Sequence, residues 1–252
     1  MSHLPGKAVW FELATPDKAD AQAFYGEVLG WKVDTVPMPG GDYTMFKPGD
    51  DRKHNSGLVD PRGPVAHWGC YVSVDDVDAT VKIAEENGGK TALAPMSVPT
   101  VGRFATVLDP EGGALLPFKA AEGDRTDEED GLGDFCWIEL MADDIEASAQ
   151  WYAKAFGYDK VETMQMPNGP YTVLSRDGKG RAGIMGKPAP MPTFWLPYVL
   201  VDDVDGVAAR AEKNGGKVIL PPFDATGVGR ITMIADRQGA HLGIIKFFPQ
   251  PA

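Results

Sequence analysis

The chain has 252 residues, of which 43% are hydrophobic and 24% charged, and its formal net charge is −12 at pH 7. This size and composition are typical of a globular chain with one large or two small domains, and the acidic charge disfavours nucleic acid as a partner. No apolar run reaches the ~18 residues of a membrane span, and the start lacks the basic and apolar segments of a signal peptide. We therefore expect a cytoplasmic protein that contacts neither nucleic acid nor a membrane.

The first predicted elements are a strand and an amphipathic helix. The strand VWFELATPD runs into the helix KADAQAFYGEVLG, where Asp17 is placed to cap the helix and Gly30 to end it in a left-handed conformation. A second strand and helix follow in the same way, CYVSVDD and VDATVKIAEENGG, with Asp76 as the N-cap. Short strands such as RFATVLDP and GALLPFK come after the helix, separated by proline and glycine. This order predicts a βαβββ module that occurs twice before residue 121.

The second half of the chain repeats the first at an offset of 127 residues, as from Glu12 to Glu139. The same offset aligns the motifs VDDVD, NGGK and VGR with their copies, and the residue pairs Tyr25/Tyr152, Trp68/Trp195 and Tyr71/Tyr198. The third and fourth helices are accordingly expected to begin near Asp144 and Asp203. The interval AAEGDRTDEEDGLGD is acidic and contains glycine, which is typical of a solvated linker. We predict a domain at residues 1–120, a linker at 121–132 and a second domain at 133–252.

The ordered set of motifs resembles a known superfamily. A strand, an aspartate, a helix with FY and LG, and then VDDVDA, NGG and DPEG are similar to the vicinal oxygen chelate superfamily, which includes glyoxalase I, extradiol dioxygenases and bleomycin-resistance proteins. Within it, the chain resembles two-domain bacterial proteins of the glyoxalase-like or hydroxylase type. The resemblance implies an α+β fold: two βαβββ modules per domain form a cupped, mixed β-sheet with helices on the outside. It also implies that the concave face holds the ligand and, in the enzymes, a divalent metal.

The metal positions of that superfamily are occupied here by unsuitable residues. The resemblance places His, Gln or Glu ligands on the first and fourth strands of each module. Three positions in each domain can be aligned by counting from nearby aspartates, and none can coordinate a cation: Trp10, Gly69, Leu116, Trp137, Leu196 and Gly243. The remaining position falls within 56–59 or 182–185, where no imidazole or carboxylate is clearly directed inward. Because a catalytic metal needs at least three converging ligands, we predict neither a metal nor another cofactor.

Strand alternation predicts which side chains line the cups, because residues two apart on a strand share a face. Trp10 shares its face with Glu12, and Trp137 with Glu139. By the same rule the cups receive further aromatic and imidazole side chains: His67, Tyr71, Tyr198 and His241. Local pairing of the modules combines Glu12 with His67 and Glu139 with His241, whereas swapped pairing exchanges the histidines.

The glutamates, histidines and arginines near the cups can serve either the chemistry of a ligand or the stability of the fold. A Glu–His pair in an apolar cavity can transfer protons near neutral pH, which makes these four residues the candidates for catalysis. Alternatively, Glu12 and Glu139 accept hydrogen bonds that support the fold. Arg103 and Arg230 of the repeated VGR can clamp a ligand carboxylate or phosphate, or form a salt bridge to Glu12 or Glu139 or a bond to a loop carbonyl.

We predict a glyoxalase- or bleomycin-resistance-like protein that binds a small, partly aromatic or apolar organic molecule in its cups without a divalent metal. The predicted ligand contacts are Trp10, Glu12, His67, Tyr71, Arg103, Trp137, Glu139, Tyr198, Arg230 and His241. The alternative is a lyase, dioxygenase or hydroxylase of the same superfamily, with an unrecognised metal or metal-free Glu–His catalysis; a structural or interaction module is a third possibility. Since two domains already supply four modules, we expect a monomer whose partner is a small molecule.

Overall fold

The computed structural model describes the chain except at its two ends and at a few internal positions. The described residues are 3–38, 41–49, 52–61, 63, 65–124, 127 and 130–249. Within them the order strand, helix, strand, strand, strand occurs four times, which confirms the predicted βαβββ modules.

The first half of the chain contains modules 1 and 2. Module 1 consists of β1 (Ala8–Ala14), α1 (Lys18–Leu29), β2 (Lys32–Met38), β3 (Gly41–Lys47) and β4 (Ser56–Val59). Module 2 consists of β5 (His67–Ser73), α2 (Val77–Glu86), β6 (Lys90–Val98), β7 (Gly102–Leu108) and β8 (Ala114–Ala120).

The second half contains modules 3 and 4. Module 3 consists of β9 (Phe135–Ala142), α3 (Ile145–Phe156), β10 (Lys160–Met166), β11 (Gly169–Arg176) and β12 (Lys179–Gly186). Module 4 consists of β13 (Phe194–Leu200), α4 (Val204–Lys213), β14 (Lys217–Ala225), β15 (Gly229–Ala235) and β16 (His241–Phe247). None of the helices in the described part of the chain has the length and apolar character that a membrane crossing requires.

All four helices begin at the aspartates that the sequence indicates. The side chains of Asp17, Asp76, Asp144 and Asp203 each accept a hydrogen bond from a backbone N–H three residues further on. This bond satisfies one of the donors that a helix start leaves without a partner in the helix. Gly30 ends α1 with φ of 71°, the left-handed conformation predicted for it.

The strands form two mixed eight-stranded sheets, one from each half of the chain. Their strand orders are β2-β3-β4-β1-β5-β8-β7-β6 and β10-β11-β12-β9-β13-β16-β15-β14. In each module the first strand pairs in parallel with the last, whereas the intervening hairpin strands are antiparallel; in module 1, β1 pairs with β4 in this way. The predicted α+β class with tandem repeated sheets is thus confirmed.

The chain divides into two compact units, and each unit contains parts of both halves of the chain, whereas each sheet is formed by one half. Unit 1 comprises Met1–Trp10, Gly69–Glu128 and Trp137–Leu196, and unit 2 comprises Phe11–Trp68, Glu129–Cys136 and Pro197–Ala252. Helices α2 and α3 pack together in unit 1, and α1 and α4 pack together in unit 2. Modules of one half therefore share a sheet, while their helices pack against helices of the other half. The domain limits near residues 120 and 133 stay a prediction.

A chain of buried hydrogen bonds links the two modules of each unit. In unit 2, the Trp68 indole donates to the Tyr25 hydroxyl (3.1 Å), which donates to Asp236 (3.1 Å). In unit 1, Trp195 donates to the Tyr152 hydroxyl (2.9 Å), which donates to Asp109 (2.9 Å). These two Trp–Tyr–Asp chains connect a helix of one module to the last hairpin of the other. The Tyr and Trp pairs that the repeat aligns lie in the core, since all four are at most 5% exposed.

The acidic interval between the halves was predicted to be a solvated linker, and this prediction holds only in part. The Asp124 side chain is fully buried in unit 1 and accepts hydrogen bonds from the Leu4 backbone N–H (2.6 Å) and the Ser73 hydroxyl (2.5 Å). Asp127 forms ion pairs with three cationic side chains of the same unit. The prediction fails at these two positions because a run of carboxylates reads as solvent-exposed unless its donors, which lie far away in the sequence, are known.

We predict that Tyr25→Phe and Tyr152→Phe each lower the free energy of unfolding by about 1–3 kcal/mol, because a buried indole and a buried carboxylate lose a hydrogen-bond partner. Urea unfolding followed by circular dichroism measures the change. Thr91→Val is the control, since it removes an exposed hydroxyl that donates to Glu85 (2.6 Å). Losses no larger than that of Thr91→Val would contradict the assigned role.

Candidate functional site

The first candidate site lies in unit 2, around Glu12 on β1. Glu12 is half-buried, and its Oε1 atom accepts a hydrogen bond of 2.7 Å from the Tyr43 hydroxyl on β3. Gly57 on β4 lies directly opposite Glu12 in the parallel β1–β4 register. We call Glu12, Tyr43 and Gly57 the Glu12 cluster.

The position of Gly57 has no room for a side chain, because the Tyr43 ring occupies that space. A Cβ atom at this position would overlap the hydroxyl oxygen of Tyr43 and would lie 3.1 Å from its Cε1 atom. Any other residue at position 57 therefore requires the phenol to move. The glycine lets Tyr43 reach across the neighbouring strand to the carboxylate on β1.

The second candidate site lies in unit 1 and repeats this arrangement with an added indole. Glu139 on β9 is 6% exposed and accepts a hydrogen bond from the Tyr171 hydroxyl of β11. Trp137 donates its indole N–H to the same hydroxyl (3.0 Å). Gly183 on β12 lies opposite Glu139, and a Cβ atom there would overlap the Tyr171 hydroxyl. We call Trp137, Glu139, Tyr171 and Gly183 the Glu139 cluster.

The tyrosine of the Glu139 cluster is held in its protonated form. Burial raises the pKa of Tyr171 well above its usual value, and the nearby Glu139 carboxyl raises that pKa further. The phenol therefore keeps its proton at neutral pH and remains a hydrogen-bond donor. Each cluster thus presents a carboxylate fixed by a phenol, which can orient a donor group of a bound molecule while the rings contact its apolar part.

Tyr43 and Tyr171 were not predicted, although the sequence contains a signal for them. Both residues begin a Tyr-Thr dipeptide on the third strand of their module. Their spacing is 128 residues, and that of Gly57 and Gly183 is 126, so a fixed offset of 127 does not align either pair. Loops of different length on either side of this hairpin hide the equivalence.

The other aromatic residues predicted to line the cups differ in their surroundings. Trp10 is half-buried. Tyr71 is buried and packs edge-on against Phe104 and Phe118, with ring centroids 5.6 and 5.8 Å away. Tyr198 is buried in unit 2, where its ring covers Gly243 of β16 so closely that a Cβ atom on the glycine would overlap it. Whether these rings contact a ligand remains a prediction.

The two histidines occupy dissimilar environments. His67 is exposed, and its Nδ1 atom lies 2.9 Å from the carbonyl oxygen of Val65. His241 is half-buried, and burial lowers its pKa, so that the neutral imidazole is favoured at neutral pH. Proton transfer by Glu–His pairs likewise remains a prediction.

The two arginines of the repeated VGR form salt bridges with helix-start aspartates. Arg103 donates to both carboxylate oxygens of Asp78 (2.6 and 2.7 Å), and Arg230 does the same to Asp205 (2.5 and 2.7 Å). The alternative prediction of salt bridges from these arginines to Glu12 or Glu139 is wrong. The aspartates are favoured because they lie in the first turns of α2 and α4, immediately beside the strand starts, and offer bidentate geometry.

The residues of the two clusters do not fit the divalent metal that the superfamily resemblance implies for its enzymes. Opposite each glutamate, where a second ligand would be needed, stands a glycine whose side-chain space holds a phenol. Among the residues that the structure describes, no group of three or more His, Cys, Asp or Glu side chains could hold a metal ion.

We predict that Gly183→Ala lowers the free energy of unfolding by about 1–3 kcal/mol, because the new methyl group displaces the Tyr171 ring. Gly186→Ala is the matched control on the same strand, since a Cβ atom there meets nothing within 4 Å. Equilibrium unfolding in urea compares them. In a Tyr171→Ala background the cost of Gly183→Ala should fall to a small remainder, because the new Cβ atom still lies 3.0 Å from the Trp137 indole nitrogen. An unchanged cost would show that the phenol is not what the glycine accommodates.

Comparison with known proteins places this geometry in a family. Residues 135–244 match the family model described as "Glyoxalase/Bleomycin resistance protein/Dioxygenase superfamily", and residues 7–49 match "Bleomycin resistance protein-like N-terminal". The chain is 31% identical to "Putative glyoxylase CFP32" of Mycobacterium tuberculosis, over 97% of this chain and 96% of that protein. It is 29% identical to "Anthracycline biosynthesis protein DnrV" of Streptomyces peucetius, over 96% and 94% of the two chains.

Solved structures agree on the fold. The Mn(II)-bound glyoxalase from Novosphingobium aromaticivorans superposes with a TM-score of 0.66 at 17% identity, over 98% of this chain and 83% of that one. At this level of identity the similarity concerns the fold alone. The family model and the mycobacterial relative, which is 31% identical over nearly the whole of both chains, identify the chain as a member of the glyoxalase/bleomycin resistance protein/dioxygenase superfamily.

Proposed function

We propose that the chain binds a small, partly aromatic or apolar organic molecule beside its Glu12 and Glu139 clusters, without a divalent metal. The observation that carries this proposal is the phenol of Tyr43 or Tyr171, which takes up the side-chain space at a glycine and donates a hydrogen bond to the glutamate. A carboxylate that accepts this bond is held as a polar anchor for a ligand. We include in the proposal that the protein is a monomer acting on a small molecule rather than on nucleic acid.

The composition of the clusters supports an aromatic or apolar ligand. Trp137 and Tyr171 provide ring surface, and their polar edges are directed into one hydrogen-bonded chain that ends at Glu139. Rings fixed in this way lose little conformational freedom on binding and offer flat apolar faces. An ionised carboxylate accepts several hydrogen bonds at once, so Glu139 can bind a ligand hydroxyl or amine in addition to the phenol.

The relatives support the same class of ligand. The name of the Streptomyces relative refers to anthracycline biosynthesis, and one matching family model refers to bleomycin resistance. Both names associate similar proteins with organic small molecules.

A second candidate is metal-free acid/base catalysis, in a lyase- or hydroxylase-like reaction. The observation that favours it is the burial of Glu139, which is 6% exposed and next to a protonated phenol. A carboxylate and a phenol in contact can act as base and acid on one substrate. The name of the mycobacterial relative refers to a glyoxylase, which is consistent with an enzyme. Turnover that persists in EDTA and is lost in Glu139→Gln with substrate binding retained would favour this candidate over simple binding.

Metal content and retained ligand test the main proposal together. Protein purified without chelators is analysed for its elements and, in parallel, by native mass spectrometry for a bound organic molecule. We expect no stoichiometric transition metal and a mass increment that organic extraction removes. One equivalent of zinc, iron, nickel or manganese, with activity or binding abolished by EDTA and restored by that metal, would overturn the proposal.

We predict that Trp137→Ala weakens binding of naphthol, a neutral flat aromatic alcohol used as a fluorescent probe, by about 1–3 kcal/mol at the Glu139 cluster. Trp137→Phe, which keeps a ring but not the N–H, should retain most of the affinity. Titration with and without EDTA measures both variants. Equal loss in the two variants, or a loss explained by a lower unfolding temperature, would argue against ring contact with the ligand.

A further inference from the structure

Asp127, in the predicted linker, is held by three cationic side chains of unit 1. Its two carboxylate oxygens accept hydrogen bonds from both terminal nitrogens of Arg181 (3.0 and 3.1 Å). Lys179 and Lys7 donate to the same carboxylate at 2.6 and 3.0 Å. The Arg181 guanidinium, followed by the two ammonium groups, holds the pKa of Asp127 well below its usual range. Asp127 is therefore bound as a carboxylate in a site built from side chains distant in sequence.

The site carries more positive charge than Asp127 can neutralise. Among the residues that the structure describes, three cations contact this one carboxylate, in a protein whose formal net charge is −12. The Arg181 side chain is only 7% exposed, and its Nε atom is buried without a hydrogen-bond partner among the described residues. A buried guanidinium with an unused donor is costly, which favours an additional acceptor at this position. The excess charge and the unused donor both point to a further anionic group.

Arg181 is adjacent to the Glu139 cluster along β12. It lies between Gly180, where a Cβ atom would be 3.5 Å from the Trp137 ring, and Gly183, where a Cβ atom would be 3.0 Å from the Trp137 indole nitrogen. The backbone on both sides of Arg181 is thus in reach of the same indole. A molecule that contacts the Trp137 ring is close to the strand that carries the guanidinium.

We propose that Arg181, Lys179 and Lys7 form a carboxylate-binding site for the ligand of the Glu139 cluster, and that Asp127 occupies this site as a tethered competitor. The ligand class is then an aromatic or apolar molecule that carries a carboxylate. This inference rests on the proposed function for the location of the apolar part. A tethered carboxylate acts at an effective concentration in the millimolar range, so a ligand that also gains ring contacts can replace it.

The test compares naphthoate, which carries a carboxylate, with neutral naphthol of the same ring system, by NMR of two side-chain groups. The indole N–H of Trp137 reports occupation of the Glu139 cluster, and the Nε–H of Arg181 reports the carboxylate site. We expect Asp127→Asn to tighten naphthoate binding about tenfold or more by removing the competitor, and to leave naphthol binding unchanged. Asp143→Asn is the matched control, because Asp143 is 70% exposed and its change removes an equal charge from an ion pair with Lys187 (2.7 Å).

A milder variant covers the case in which Asp127→Asn does not fold. Lys179 is 57% exposed, so Lys179→Met removes one donor of the site with little risk to the core. Because Lys179 contacts Asp127 and would contact a ligand carboxylate in the same way, its loss should leave naphthoate affinity within about twofold, while saturating naphthoate still shifts the Arg181 Nε–H signal and naphthol does not. An Arg181 signal that both probes shift equally, or that neither probe shifts, would overturn the inference.

The two readouts separate failure of this inference from failure of the proposed function. A shift of the Trp137 signal with both probes, at equal affinity and with a silent Arg181 signal, overturns the carboxylate site and leaves the proposed function standing. A saturable Arg181 shift with naphthoate, and no Trp137 response to either probe, supports the carboxylate site and counts against the location of the aromatic ligand. Silence of both signals overturns both.

Discussion

Two buried aspartates determine how the modules of this protein are assembled. Asp109 and Asp236 lie in the turns before β8 and β16, are at most 4% exposed, and would be unstable as carboxylates without donors. Each accepts two backbone N–H bonds from its own turn, at 2.8 Å for Asp109 and 2.9 Å for Asp236. The tyrosine on a helix of another module supplies the remaining donor. Burial nevertheless raises the pKa of both carboxyls, which shows how much desolvation these bonds must offset.

The need of each buried aspartate for a tyrosine donor explains why helices pack with modules of the other half of the chain, while strands pair within their own half. Tyr25 of α1 must reach the turn before β16, and Tyr152 of α3 must reach the turn before β8, so each helix packs in a unit with a module from the other half of the chain. The strands of each half meanwhile remain in one sheet. The Glu12 and Glu139 clusters use other tyrosines, on the hairpin strands, so the chemistry of the candidate sites is separate from the bonds that hold the core together.

Much of the fold followed from local patterns in the sequence. The helix-capping aspartates, the glycine after α1 and the repeated strand motifs each act through neighbours a few residues away, and the structure confirms them. Tyr43 and Tyr171 were not predicted, because their role depends on a glycine across the sheet and on loops whose lengths differ between the halves. The Arg103 partner was misassigned for a related reason: strand alternation gives a face, but not which charged neighbour lies nearest. Contacts of Asp127 with Lys7 and Arg181 bridge long separations in sequence and leave no local signal.

The central claim is that the phenols of Tyr43 and Tyr171 fill the space opposite Glu12 and Glu139 that a second metal ligand would need. Anomalous diffraction from crystals grown with manganese or nickel salts tests it most directly. The account predicts no anomalous peak within coordination distance, roughly 2.0–2.2 Å, of a Glu12 or Glu139 oxygen, with the hydroxyls of Tyr43 and Tyr171 still hydrogen-bonded to those carboxylates. A peak coordinated by either glutamate, with its tyrosine displaced, would contradict it.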